Sequence, residues 1–166
     1  MNNFDTQLKL TKAKLFVFGQ AILLLLLIFS RSPIELNLVS FTSVGIGLEI
    51  LGALGVLVSA FSLKHSLTVM PLPKQDSTLV TTGLYRFSRH PMYASVLAFS
   101  LGLSMKGGEV YKYLLFLLLL ILFYYKSKYE ESFLQEKFAG YKLYSRTVPR
   151  LLPFRIKHLR RQNKSI

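Results

Sequence analysis

The eleven residues GLYRFSRHPMY, from Gly83 to Tyr93, place two arginines, a histidine and two tyrosines directly ahead of an apolar run. Pro91 suits the first turn of a helix, where its missing N–H costs nothing. Arg86, Arg89 and His90 therefore gather at a helix N-terminus, whose free N–H groups already favour an anion. A carboxylate or phosphate belongs at such a spot. Gly83 permits a sharp backbone turn just before it, and Tyr85 and Tyr93 offer ring faces to a flat group or a cation. The second chemistry-bearing pair is Glu130-Glu131, after the last long apolar run. Where the two clusters meet, arginine or histidine can take the carboxylate of a zwitterionic ligand and glutamate its ammonium. Successive helical residues point about 100° apart, so one glutamate faces the pocket and the other solvent or a basic neighbour.

The elements that must bring these clusters together are membrane helices. The chain of 166 residues is 51% hydrophobic yet carries a formal charge of +13. Its apolar residues are gathered into blocks long enough to cross lipid, at about 15–30, 41–63, 91–105 and 111–125. This predicts a single all-α, polytopic transmembrane domain over 1–166: four membrane helices, a cytoplasmic loop at 64–90 and a cytoplasmic tail at 126–166. The first block is a retained helix rather than a signal peptide, because Arg31, Ser32 and Pro33 follow it instead of a small-residue cleavage site. Gly45, Gly47, Gly52, Gly55 and Ala60 in the second block favour close helix packing. Pro71, Pro73 and Gly83 rule out one helix across the loop. The third block makes only about 22 Å of helix. It must extend upstream, meet a thinned membrane, or begin beside a cavity. Gly107 and Gly108 form the turn of a hairpin that returns the fourth helix to the face where the third begins. The tail opens as a helix, KSKYEESFLQEKF, is broken at Pro149 and Pro153, and ends in a basic interfacial segment.

Charge sets the orientation. One side of this layout holds 18 of the lysines and arginines and the other 3. The positive-inside rule puts both termini and the middle loop in the cytoplasm. Compact size and the lack of a targeting tail point to a bacterial inner membrane. The net charge is mostly orientation, plus attraction of anionic lipid headgroups to the basic tail. Nucleic-acid binding is not expected, since a phosphate-binding groove needs a folded soluble surface. Without cysteine there is no disulfide or thiolate chemistry, and His65 has no partner at a metal-binding spacing, so no metal is expected. Glu49, inside the second block, is costly there. It faces a catalytic cavity or pairs with a polar group on another helix.

LVTTGLYRFSRHPMY, then KSKYEESFLQEKF, then YKLYSRTVPRLLP resemble the isoprenylcysteine carboxyl methyltransferase and phospholipid methyltransferase superfamily of integral membrane enzymes. The family pattern is roughly Gly-x-Tyr-x-x-x-Arg-His-Pro-x-Tyr-x-Gly, a hydrophobic hairpin, Glu-Glu, and a tail ending in Val-Pro-Arg. Gly83, Tyr85, Arg89, His90, Pro91 and Tyr93 match its first part, Glu130 and Glu131 its acid pair, and Val148, Pro149 and Arg150 its tail. Ser95 stands where the family often has glycine. The resemblance covers about residues 78–153 and implies methyl transfer from S-adenosylmethionine, leaving S-adenosylhomocysteine, to a lipophilic acceptor entering from the bilayer. Isoprenylcysteine, a phospholipid amine, a small thiol or a quinone-like phenol would serve. It implies cofactor binding by Gly83, Tyr85, Arg89, His90, Pro91, Tyr93, Glu130, Glu131 and Arg150, and catalytic roles for His90, Glu130 and Arg89. A carboxylate acceptor is already a nucleophile, whereas an amine or thiol must lose a proton, with which His90 or Glu130 would assist. Two other classes compete: a small transporter component, favoured by Glu49 but lacking repeat symmetry, and a non-catalytic assembly protein. Oligomeric state stays open.

Overall fold

The computed structural model describes residues 3–31, 38–63, 68, 71–72 and 76–151. Regular structure among the described residues is helical: α1 (Asn3–Phe29), α2 (Thr42–Leu63), α3 (Pro91–Gly107), α4 (Val110–Lys137) and α5 (Tyr141–Thr147), with a 3-10 turn at Gly83–Arg86. Three helices are long and apolar enough to cross a membrane, within Gln7–Phe29, Thr42–Leu63 and Val110–Lys137. Exposed side chains such as Leu15, Phe18, Leu51, Phe61 and Leu114 give them lipid-facing surfaces.

Two helices outrun the apolar blocks that signalled them. The stretch ahead of position 15 belongs to α1, because Gln, Leu, Lys and Ala are good helix formers whatever their polarity. For the same reason α4 continues through KSKYEESFLQEK without a break. The acid pair therefore lies inside α4 rather than after it, and the helix expected to open the tail is α4's own last turns. Lys64, His65, Pro73, Lys74 and the tail from position 152 lie outside the described residues.

The third helix resolves its length problem at one end. It gains only two residues beyond 105, reaching about 25 Å. Upstream of Pro91 the chain is a 3-10 turn and bends, not more helix. The helix starts beside the cleft described below.

α2 and α3 pack backbone to backbone over small residues. A Cβ on Gly45 would stand 2.7 Å from the Gly102 carbonyl oxygen, and one on Gly52 2.6 Å from that of Ser95. Gly47 takes no part, since its Cβ would meet nothing within 4 Å. Ser95 is accommodated by its partner helix: a Cβ on Gly55 would lie 2.3 Å from Ser95 Oγ. That hydroxyl is turned back to donate to the Pro91 carbonyl at 2.8 Å. α1, α3 and α4 share the apolar core of Leu27, Leu97, Leu119 and Phe123.

The hairpin closes at the far face. Gly108 adopts φ +66°, a conformation glycine tolerates best, and its carbonyl accepts from Leu38 N at 2.7 Å. Glu49 pairs there with Lys106 of α3, Nζ to Oε1 2.9 Å. Leu63, which lines the cleft, lies about 21 Å further along α2. Of the two expectations for Glu49, the structure shows the interhelical pair and not the cavity.

Candidate active site

At the opposite face the described tail crosses the start of α3. Arg89 N donates to the Pro149 carbonyl at 2.9 Å and His90 N to that of Arg150 at 3.0 Å. Ser88 Oγ reaches the carbonyls of Arg150 and Leu151 at 3.0 and 2.9 Å. Donors just ahead of the helix are thus satisfied by the chain itself. Gly83, at φ +60°, begins the turn that presents Tyr85. α5 fastens it from the other side, with Tyr144 Oη donating to the Tyr85 carbonyl at 2.5 Å.

The anion at the basic cluster is Glu131. Its carboxylate is buried and accepts from three side chains. Arg150 binds it bidentately, Nε to Oε1 3.0 Å and Nη2 to Oε2 2.8 Å. Arg89 Nη1 lies 3.0 Å from Oε2, and His90 Nε2 lies 3.1 Å from Oε1. Charge-assisted forks of this kind are strong and directional. Glu131 thereby ties the start of α3, the end of α4 and the tail into one knot.

Glu130 points elsewhere. It accepts from Tyr93 Oη at 2.8 Å and stands 3.6 Å from His90 Nδ1. Among the described residues no arginine or lysine forms an ion pair with it. Since Glu131 accepts the hydrogen on His90 Nε2, Nδ1 of a neutral ring is the nitrogen with a free lone pair. His90 stacks on Tyr93, with centroids 5.3 Å apart, and Tyr93 stacks on Phe123 at 4.7 Å. Lys126 lies below them. It is buried, its ammonium sits 5.0 Å from the centre of the Tyr93 ring, and it donates to Gln20 Oε1 at 2.6 Å. α1 thus reaches the site's supports.

These side chains line a cleft with about 770 Å³ of space, open to solvent. Tyr85, Arg89, His90, Tyr93 and Glu130 form its polar wall, and Tyr141 and Tyr144 face them from α5. Leu63, Leu79, Met92 and Leu134 add apolar surface. Within this lining the buried Tyr141 hydroxyl interacts with the Arg89 guanidinium, which partly offsets the effect of its burial. Burial pushes the Tyr85, Tyr141 and Tyr144 hydroxyls well above the usual phenol range, Tyr144 to about 12. The negative charge of Glu130 adds to the effect at Tyr85. All three remain protonated hydrogen-bond donors at neutral pH and are not bases.

Of the residues singled out from sequence, Tyr85, Arg89, His90, Tyr93 and Glu130 come together in the cleft wall. Gly83, Pro91, Glu131 and Arg150 do not line it. Gly83 and Pro91 shape the backbone, while Glu131 and Arg150 brace Arg89 and His90. Arg86 is exposed and off the cleft. Sequence reasoning missed Tyr141, Tyr144, Lys126, Gln20 and Ser88. A buried position for Lys126 carries no sequence signal, because it directly follows an apolar run where a flanking lysine ordinarily marks the membrane edge. The two tyrosines could have been noticed as an i, i+3 pair in YKLY.

Residues 41–140 match the family Phospholipid methyltransferase. The chain belongs to this family. The match spans α2, the loop and both arms of the hairpin, so this family member carries the Arg89–Tyr93 segment and both glutamates inside the matched region. Gln20 of α1, and the tail residues Tyr141 to Arg150, lie outside it. No curated protein matches the chain. Family and apolar helices together make this a membrane methyltransferase.

Proposed function

We propose that the methyl donor is S-adenosylmethionine and that the acceptor is lipophilic or membrane-associated. The observation that carries this reading is Glu130: a carboxylate that lines the cleft, beside His90 and Tyr93, and forms no ion pair with an arginine or lysine among the described residues. A cleft with a carboxylate on its wall and the Arg89 guanidinium beside it fits a ligand that carries both positive charge and a carboxylate. When bound, S-adenosylmethionine supplies a methyl group on a sulfonium. Glu130 would face its positive charge, and Arg89 its carboxylate. The aromatic faces of Tyr85 and Tyr93 would position the remainder.

His90 is the group suited to proton transfer. Glu131 fixes its ring and tautomer, leaving Nδ1 on the Glu130 side. It would take the proton of an amine or thiol acceptor; a carboxylate acceptor, as in isoprenylcysteine, needs no base. The apolar wall formed by Leu63, Met92 and Leu134 favours an acceptor with a hydrophobic tail arriving from the bilayer. The water-soluble donor requires the site to open to the cytoplasm, the side on which the positive-inside rule places both termini and the basic tail.

Calorimetric titration of detergent-solubilised protein with S-adenosylhomocysteine tests this. One-site saturable binding is expected, weakened at least about tenfold in Glu130→Gln, as removal of one charged partner would do. Absence of binding by folded protein, in detergent and in bilayers alike, would overturn the reading.

A further inference from the structure

A long groove runs between α1 and α4, separate from the cleft. Lys12, Leu15 and Leu23 line it from α1, and Leu118, Tyr125 and Lys128 from α4. It holds about 1520 Å³ of space and is open along its side. Its polarity is graded. The walls are apolar over most of their length, and both lysines stand at one end. That end belongs to the face of the candidate active site, since Lys128 lies next to the acid pair in α4. Lys12 and Lys128 are both exposed, and neither is in an ion pair among the described residues.

The groove is built rather than incidental. Tyr129 anchors its basic end by donating to the Lys9 carbonyl at 3.0 Å and packing on Phe16 with centroids 5.7 Å apart. Lower down, Gly19 leaves room for Leu122, whose Cδ1 would lie 3.1 Å from any Cβ there. From Lys12 to Leu23 the helix rises about 16 Å. One leaflet contributes about half of a hydrocarbon core of about 30 Å. The apolar length therefore matches a single leaflet, with the cations at the headgroup level.

We propose that this groove binds one anionic phospholipid from the leaflet on the active-site side. An acyl chain lies along Leu15, Leu23, Leu118 and Tyr125, and the phosphate meets Lys12 and Lys128. A zwitterionic lipid is disfavoured because its own cation would face the same two lysines. The site is independent of the methyl-donor reading.

The chain has no tryptophan, so Tyr125→Trp makes a single fluorescent reporter in the groove wall. The full-length protein is reconstituted in phosphatidylcholine bilayers containing a small fraction of phosphatidylglycerol brominated on its acyl chains. The comparison is the same fraction of brominated phosphatidylcholine. Excess quenching by the anionic lipid is expected, reflecting up to about thirtyfold enrichment at the reporter for two cations near the surface. Adding Lys12→Gln and Lys128→Gln should bring the two lipids level. Equal quenching with both lysines present would overturn the proposal. So would an excess that survives those two changes and disappears when Lys157, Arg160 and Arg161 of the tail are neutralised instead.

Discussion

Glu131→Gln separates the two neighbouring glutamates by what each one holds. The Glu131 side chain is 4% exposed and is approached by Arg89, His90 and Arg150 at 2.8 to 3.1 Å. Glutamine keeps the shape but presents an amide N–H₂ to a cluster of donors, and the arginines lose the only carboxylate with which they form an ion pair among the described residues. Removing one partner of a buried ion pair costs about 3–5 kcal/mol. Arg150 is 26% exposed and regains water, so the lower end applies, about 3 kcal/mol. For a chain of this size that is a fall in melting temperature of about 6–12 °C. The assay is thermal unfolding of the detergent-solubilised chain followed by circular dichroism. Glu130→Gln is the internal control: the amide oxygen still accepts from Tyr93, and the melt should move by no more than about 2 °C while S-adenosylhomocysteine binding falls. A Glu131→Gln melt indistinguishable from wild type would refute the view that this carboxylate fastens the tail to the hairpin.

Other substitutions probe the frame. Gly52→Val should prevent normal α2–α3 packing and cost well over about 3 kcal/mol, read as loss of the cooperative melt, because its Cβ would strike the backbone at Ser95. Gly47→Ala, with open space around it, should raise the melt slightly through helix propensity, by up to about 1 kcal/mol. Lys126→Met should destabilise by about 1–3 kcal/mol by stranding Gln20. In a double-mutant cycle with Gln20→Leu the losses should be less than additive, and full additivity would exclude the contact seen at 2.6 Å. Tyr85, Tyr141 and Tyr144 have raised folded pKa values, Tyr144 about 12. Their contribution is therefore complete below the unfolded phenol value near 10. It is lost as the pH rises from there through the folded values. Chemical denaturation midpoints should be insensitive to these groups at pH 7–9 and fall above pH 10 (~10 being the phenol reference value), less steeply in Tyr144→Phe.

The sequence alone determined the four long helices, their order and their meeting point, but not α5. Apolar runs report where lipid must be met, because an unpaired backbone amide is too costly there for anything but helix. Thus α2 was legible nearly to the residue, and Pro91 marked the start of α3. Gly108 marked its end. The same logic fails where helix leaves lipid: hydropathy measures the membrane, not the hydrogen-bond ladder, so the polar ends of α1 and α4 were invisible to it. The chemical groups of the site were legible as residue types in three ordered motifs. Their division of labour was not. Only the tertiary structure decided that Glu131 is consumed by Arg89, His90 and Arg150 while Glu130 lines the cleft, since one residue of helical rotation separates them and the neighbours come from 41 and 19 positions away. Only it placed Tyr141 against Arg89 and put Lys126 under Tyr93 with Gln20. Pairings between distant segments depend on the hairpin's register and on the close α2–α3 approach. Those are set by packing many side chains at once, and no single stretch of sequence encodes them.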